Sequence, residues 1–241
     1  MTNSAETNGA APETDKPNRV RIIDAALMLA AEMPWNEIRV SDVAERAGLS
    51  LREVRTEFSS RTGILLAYAK DVDLAVLDRI DPEMAEEPHH DRLLDILITR
   101  FEVLRPHRVA LSSILEHLPR DPRSLSMWNG ETIRSMKWML EAAGIDTSGT
   151  MGGLRAQGLV FVYLRAMRVF LDDDDPGMAR TMAELDRRLR RGARQLDRAS
   201  AVLRAGDAFR NAMRSSRRRR RARDDWDDDP AADGFPAEGA L

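Results

Sequence analysis

The chain has 241 residues, 43% of them hydrophobic, and carries 37 basic against 40 acidic residues for a formal net charge of −3. That is apolar material for one compact core, or for a small domain joined to a larger one. The lack of cysteine excludes disulfide frameworks, thiolate nucleophiles and thiolate metal sites, and four histidines leave little for a metal cluster, so no metal and no cofactor is expected.

Residues 1 to about 17 are polar, without periodicity, and read as a disordered tail. They show neither the basic start nor the apolar segment of a signal peptide, so a cytoplasmic location is expected. From Arg19 the pattern turns helical. Ile22, Ile23, Ala26, Leu27 and Ala30 recur at spacings of three and four, and Pro34 stops the helix. "PWNEIR" is a connector in which Trp35 and Ile38 tuck under that helix. Ser41 is the expected cap of a second helix, with Val43, Ala44 and Ala47 inward and Gly48 as its left-handed stop. Ser50 and Glu53 then form the S-x-x-E box that starts a third helix.

Two short helices joined by a tight glycine turn suit the helix-turn-helix, whose second helix lies in the major groove. With Val54 and Phe58 packing inward beside Leu49, the residues left on or near the outer face are Leu51, Arg52, Glu53, Arg55, Thr56 and Glu57. Arg52 and Arg55 can reach a phosphate or a guanine edge, and Thr56 a phosphate or a thymine methyl. Arg61, with the backbone amides of Ser60 and Arg61, is expected to grip a phosphate. Ser50, Leu51, Arg52, Glu53, Arg55, Thr56 and Arg61 are therefore the candidate DNA-binding residues. The outer charges of Arg52, Glu53, Arg55 and Glu57 cancel, which leaves open that the motif is only a scaffold.

"RIIDAALMLAAEMPWNEIRV" followed by "VSDVAERAGLSLREVRTEFSSRTGIL" resembles the N-terminal domain of the TetR family of bacterial repressors over residues 19 to about 67. The likeness lies in the helix, the connector, the D-V-A-x-x-A-G-x-S core, Phe58 and Arg61 before an apolar helix. The family usually has an aromatic residue where this chain has Arg55, and often His or Tyr where it has Glu57. The resemblance implies a homodimer that binds palindromic double-stranded DNA and releases it when a small ligand enters a helical C-terminal domain.

Beyond the head, "TGILLAYAKDVDLAVLDRI" predicts a long helix. Leu93, Leu94, Leu97, Ile98, Phe101 and Leu104 predict another, and "VALSSILEHL" a shorter one ending by Pro119. "SLSMWNGETIRSMKWMLEAAG", "GGLRAQGLVFVYLRAMRVFL" and "GMARTMAELDRRLRRGARQLDRASAVL" complete an all-α chain. It reads as a tail to 17, a head at 18–66, a ligand-binding and dimerisation bundle at 67–202, and a basic then acidic tail at 203–241. The last two long helices, about 152–171 and 177–201, are expected to form the dimer interface.

Large soft residues crowd 125–171: Met127, Trp128, Met136, Trp138, Met139, Leu154, Leu159, Phe161, Tyr163, Met167 and Phe170. They fill a core, or line a pocket in which Trp128, Met136, Met139, Leu159, Tyr163 and Met167 would meet a small apolar or lipid ligand. Arg155, Arg165 and Arg168 on this apolar stretch call for Asp or Glu partners. "LDDDDPGM" offers carboxylates, but successive aspartates point apart, so they are read as complementing a helix N-terminus. "WNGETIRSMKWMLEAAG" and the stretch through "LDRRL" are similar, more weakly, to the TetR-like lipid-binding proteins of ubiquinone biosynthesis. That likeness implies an alternative, a lipid-binding, membrane-associated protein with a vestigial head. The arginine-rich tail, Arg214, Arg217 to Arg221 and Arg223, would then make weak membrane contact, screened by seven acids between Asp224 and Glu238. No catalytic motif is present, and an enzyme is not expected.

Overall fold

The computed structural model describes residues 16–117 and 122–194, and among these all regular structure is helical. Contacts group residues 1–192 as one unit and 193–241 as another, of which only 193 and 194 are described. Residues 1–15 of the N-terminal tail and the whole arginine-rich tail lie outside the described residues.

Helix α1 spans Asn18–Glu32, and its expected stripe of Ile22, Ile23, Ala26, Leu27 and Ala30 is buried. Met33 closes it in an extended conformation with its N–H on the Leu29 carbonyl, and Pro34 cannot extend the ladder. Helix α2 is Val40–Arg46. Its start corrects the sequence reading: the capping residue is Arg39, whose N–H donates to the Asp42 carboxylate at 2.8 Å, while the Ser41 hydroxyl also turns to Asp42. A carboxylate at the third helical position does the job that a serine one residue into the helix cannot. Helix α3, Leu51–Glu57, has the expected box, with Glu53 N–H on Ser50 Oγ and Ser50 N–H on the Glu53 carboxylate at 2.8 Å. Between them Gly48 sits at φ +65°, and a Cβ there would lie 3.2 Å from the Arg21 guanidinium.

Helix α4, Arg61–Leu77, runs from the head into the bundle and is apolar on most of its circumference. Ile64, Leu65, Tyr68, Ala69, Val72 and Val76 are buried, as a helix enclosed by neighbours requires. It packs on α1, on α5 (His89–Leu104) and on α7 (Pro122–Ala142). Helix α6, Arg108–His117, lies against α1, and α8, Gly149–Leu171, packs on α7 and α6. A ninth helix, α9, covers 179–194 among the described residues. The buried apolar side chains from Ile22 to Leu189 form one continuous cluster, so the head and the bundle share a core.

The aspartate run builds a turn, as the sequence suggests. Asp173, 3% exposed, accepts the Thr181 N–H and hydroxyl, and Asp175 accepts the Gly177 and Ala179 N–H groups. These are α9's unpaired amides and those just before it. Among the described residues no His/Cys/Asp/Glu group is placed to hold a metal ion, and no helix is long and apolar enough to cross a membrane.

Candidate nucleic-acid interface and ligand pocket

The head is held by arginines that the sequence reading did not single out. Arg21 Nη2 donates to the Ala47 carbonyl at 2.7 Å and to Gly48 at 3.3 Å, so α1 clamps the turn directly. Arg19 makes a two-pronged pair with Asp71 of α4, 2.8 Å on each arm. Arg46 pairs with Glu32 across α2 and α1.

On α3, Val54 is fully buried and Leu51, Arg52, Arg55, Thr56 and Glu57 face outward. The Arg52 and Arg55 side chains make no hydrogen bond or ion pair among the described residues, and they border one cleft with Leu51, Ser59 and Ser60. Ser50 and Glu53 are committed to the cap. Hydrogen bonds from Ser50 hold the Glu53 carboxyl below its ordinary pKa, and its oxygens are turned to the helix start. The Thr56 hydroxyl donates to the Arg52 carbonyl at 3.0 Å, leaving its methyl and lone pairs for a partner. Glu57 lies near enough to Arg19 to favour that guanidinium's charge, behind the larger effect of Asp71.

Arg61 departs from its expected role. Its Nη1 donates to the carbonyls of Trp35 at 2.8 Å, Asn36 at 3.4 Å and Ile38, and its guanidinium stacks 5.1 Å from the centre of the Trp35 ring. It therefore braces the connector between α1 and α2. The start of α4 is capped by Ser60, whose Oγ accepts the Gly63 N–H at 3.1 Å.

In the bundle, a cavity of about 140 Å³ lies between α4, α5, α6, α7 and α8. Trp128, Tyr163 and Met167 line it, joined by Tyr68, Leu111 and Ile114. Met136, Met139 and Leu159 do not. The two methionines are fully buried and Leu159 is 4% exposed, because they point into the packed core on other faces of α7 and α8. Conversely Met127, Trp138, Leu154 and Phe161, read as core or pocket, are between 42% and 56% exposed. The arginines of α8 also find other partners than expected. Arg155 donates to the Asp146 carbonyl at 2.8 Å and Arg165 stacks over Phe161, while Arg168 is exposed.

One side of the cavity carries a polar cluster absent from the sequence reading. Arg100 on α5 pairs with Asp73 on α4, the Ser135 hydroxyl donates to the same Asp73 oxygen at 2.6 Å, and Arg100 Nε donates to the Tyr163 hydroxyl at 3.3 Å. Burial acts to lower the Arg100 pKa, but Tyr163 and Asp73 outweigh it and keep the guanidinium above its ordinary value. Nearby, the Tyr68 hydroxyl donates to His107 Nδ1 at 2.9 Å, the tautomer assigned from this contact. Burial pushes the Tyr68 phenol well up, ahead of the effects of Tyr163 and Arg100, and burial lowers His107 against the opposing pull of Asp24.

A histidine lowered on folding binds fewer protons folded than unfolded just below its ordinary value of 6.5. Its contribution to stability is thus complete above that value and declines as pH falls through it. Thermal unfolding at about pH 7.5 and about pH 5.5 is expected to show a smaller acid loss for His107→Phe than for the parent.

The fold is similar to that of solved structures. The TetR transcriptional regulator from Nitrosomonas europaea ATCC 19718 matches with a TM-score of 0.60 at 23% identity, over 74% of this chain and 99% of that one. The chain has the TetR fold. A TetR transcriptional regulator from Rhodococcus sp. RHA1 matches with a TM-score of 0.55 at 18% identity, over 73% of this TetR-fold chain and 94% of that one. In sequence the chain is similar to the fatty acid metabolism regulator protein of Bacillus subtilis (strain 168), 26% identical over 154 residues, which is 63% of this chain and 78% of that one. No family model matches the TetR-fold chain.

Proposed function

We propose that the chain is a DNA-binding transcriptional regulator, a repressor that leaves its operator when a small apolar ligand enters the bundle. The observation that carries this is the outward face of α3: Arg52 and Arg55 project from a helix whose cap, turn and inner face are otherwise fully engaged. The proteins that the chain is similar to, transcriptional regulators and a regulator of fatty acid metabolism, support the same reading.

The chemistry divides between the two arginines. Arg55 holds a phosphate and Arg52, with Thr56, reads base edges. Losing one phosphate contact lowers the slope of log affinity on log salt by about 0.9 on every sequence, whereas losing a base contact costs about 1 to 3 kcal/mol on one sequence only. Fluorescence anisotropy with operator and random duplexes across a salt series is the test. Arg55→Ala is expected to weaken both duplexes, and Arg52→Ala to weaken the operator alone. Parental binding by both variants would make α3 a brace.

Ligand and head share two helices. Leu111 and Ile114 of α6 line the cavity, while Ser113 on the same helix accepts the Trp35 N–H at 3.1 Å and donates to the Met33 carbonyl at 3.3 Å. Tyr68 and Val72 of α4 line it too, while Arg61 and Asp71 of α4 hold the connector and α1. A ligand that spreads α4 and α6 therefore changes the angle of the head.

The chain acts as a homodimer through α8 and α9, where Leu154, Phe161, Leu164 and Met182 are exposed. Spacings of seven and three put Leu154, Phe161 and Leu164 on one stripe, and an exposed apolar stripe is an interface signal. Phe161→Asp is expected to convert a dimer to a monomer by light scattering at micromolar concentration, with the helical circular dichroism retained.

A further inference from the structure

The cavity's polar wall constrains the charge of what can occupy it. Arg100 is 4% exposed and Asp73 6%, and their opposite charges are matched to each other, with Ser135 supplying a further hydrogen bond to Asp73. The other formal charge on the lining is Glu131, whose side chain is 15% exposed and ion-paired with Arg134. The positive charge at the cavity is therefore already neutralised by Asp73 behind the lining, and the one carboxylate on the lining is Glu131. A carboxylate entering beside Arg100 meets a guanidinium whose charge Asp73 already balances, so it adds a second buried anion with no counter-charge of its own, which is heavily unfavourable. An uncharged ligand leaves the pair intact. It also supplies an acceptor oxygen to a wall whose Trp128 indole N–H is buried with no partner among the described residues. The volume of about 140 Å³ is of the size that holds a single benzene-sized ring.

We propose that this cavity selects an uncharged, compact, mainly apolar compound bearing one carbonyl-type oxygen, and discriminates against carboxylates of the same shape. This rests on the reading of the cavity as the ligand site.

Two probes with equal numbers of heavy atoms separate the cases: 4-methylacetophenone and 4-methylbenzoate, titrated calorimetrically into the full chain at neutral pH, with thermal shift as a second readout. The ketone is expected to bind about 100-fold or more tightly than the carboxylate. Asp73→Asn removes the buried anion and frees Arg100, so the preference should move toward 4-methylbenzoate, seen as carboxylate-dependent thermal stabilisation. Leu115→Trp, which fills the cavity from α6, should abolish binding of the ketone. Equal or tighter binding of 4-methylbenzoate to the parent overturns the inference while leaving the cavity a ligand site. Ketone binding that survives in Leu115→Trp places the ketone elsewhere and also overturns it. Failure of both probes to bind removes the ligand-site reading and the inference together.

Discussion

Arg100→Met is expected to destabilise the protein by about 3 to 5 kcal/mol, because it leaves Asp73 buried without its counter-charge. For a unit of this size that is a fall in thermal midpoint of roughly 10 °C. The double variant Arg100→Met with Asp73→Leu should recover most of the loss, since two apolar side chains of similar volume can replace a buried pair at little cost. Thermal unfolding of the two single variants and the double variant provides the cycle. A double variant no more stable than the worse single one would show that the Ser135 and Tyr163 hydrogen bonds, not the charge pair, carry the stability of this region. The loss should be larger for Arg100→Met than for an exposed pair such as Arg190 with Asp186, whose mutual attraction is weakened by solvent.

Arg61→Ala is the second large effect. Its guanidinium serves the Trp35, Asn36 and Ile38 carbonyls and stacks on Trp35, and hydrogen bonds from a charged donor contribute about 1.5 to 3 kcal/mol. A loss of about 2 kcal/mol or more in the head is expected, with affinity for operator and random DNA falling together. The salt slope is the deciding readout. A brace leaves the slope of log affinity on log salt unchanged, whereas a phosphate contact would lower it by about 0.9. A lower slope with parental thermal stability would restore the role that the sequence suggested for this residue.

The contrast at Arg61 shows where the sequence is legible. Periodicity found every described long helix, and the turn chemistry of Gly48 and the Ser50–Glu53 box placed the head, because these signals act within one turn of chain. Side-chain direction across 23 to 26 residues of separation, which decides whether Arg61 faces DNA or the Trp35 connector, has no local signature. The pocket was half legible for a related reason. Trp128 of α7 and Tyr163 and Met167 of α8 line it, but Met136 and Met139, further along α7, face the core. Composition names the candidates, and only the helix crossings say which face meets the cavity.

The Asp73–Arg100 pair did have a signal. Arg100 falls three residues after Leu97 and four before Leu104, on the apolar stripe of α5, and Asp73 falls four after Ala69 and three before Val76 on α4. A charge on a buried stripe requires a partner, and opposite charges on two adjacent stripes predict one another. The same test separates them from Arg155, Arg165 and Arg168, which lie on α8's outer or intermediate positions and take a carbonyl, a ring face and solvent instead. Exposed apolar residues are the reverse case. Phe161 and Leu154 belong to α8's apolar sequence yet face outward, and a single chain's periodicity does not distinguish a core face from a face that meets a second copy.

The most direct test of the central proposal, sequence-specific DNA binding through α3, is selection of bound fragments from a random duplex library by the full chain, run beside the Arg52→Ala, Arg55→Ala double variant. The proposal predicts an enriched palindrome, with half-sites centred about one helical turn of DNA or a multiple of it apart, and loss of that enrichment in the double variant. No enriched sequence from the folded parent, or the same palindrome recovered by the double variant, would contradict it.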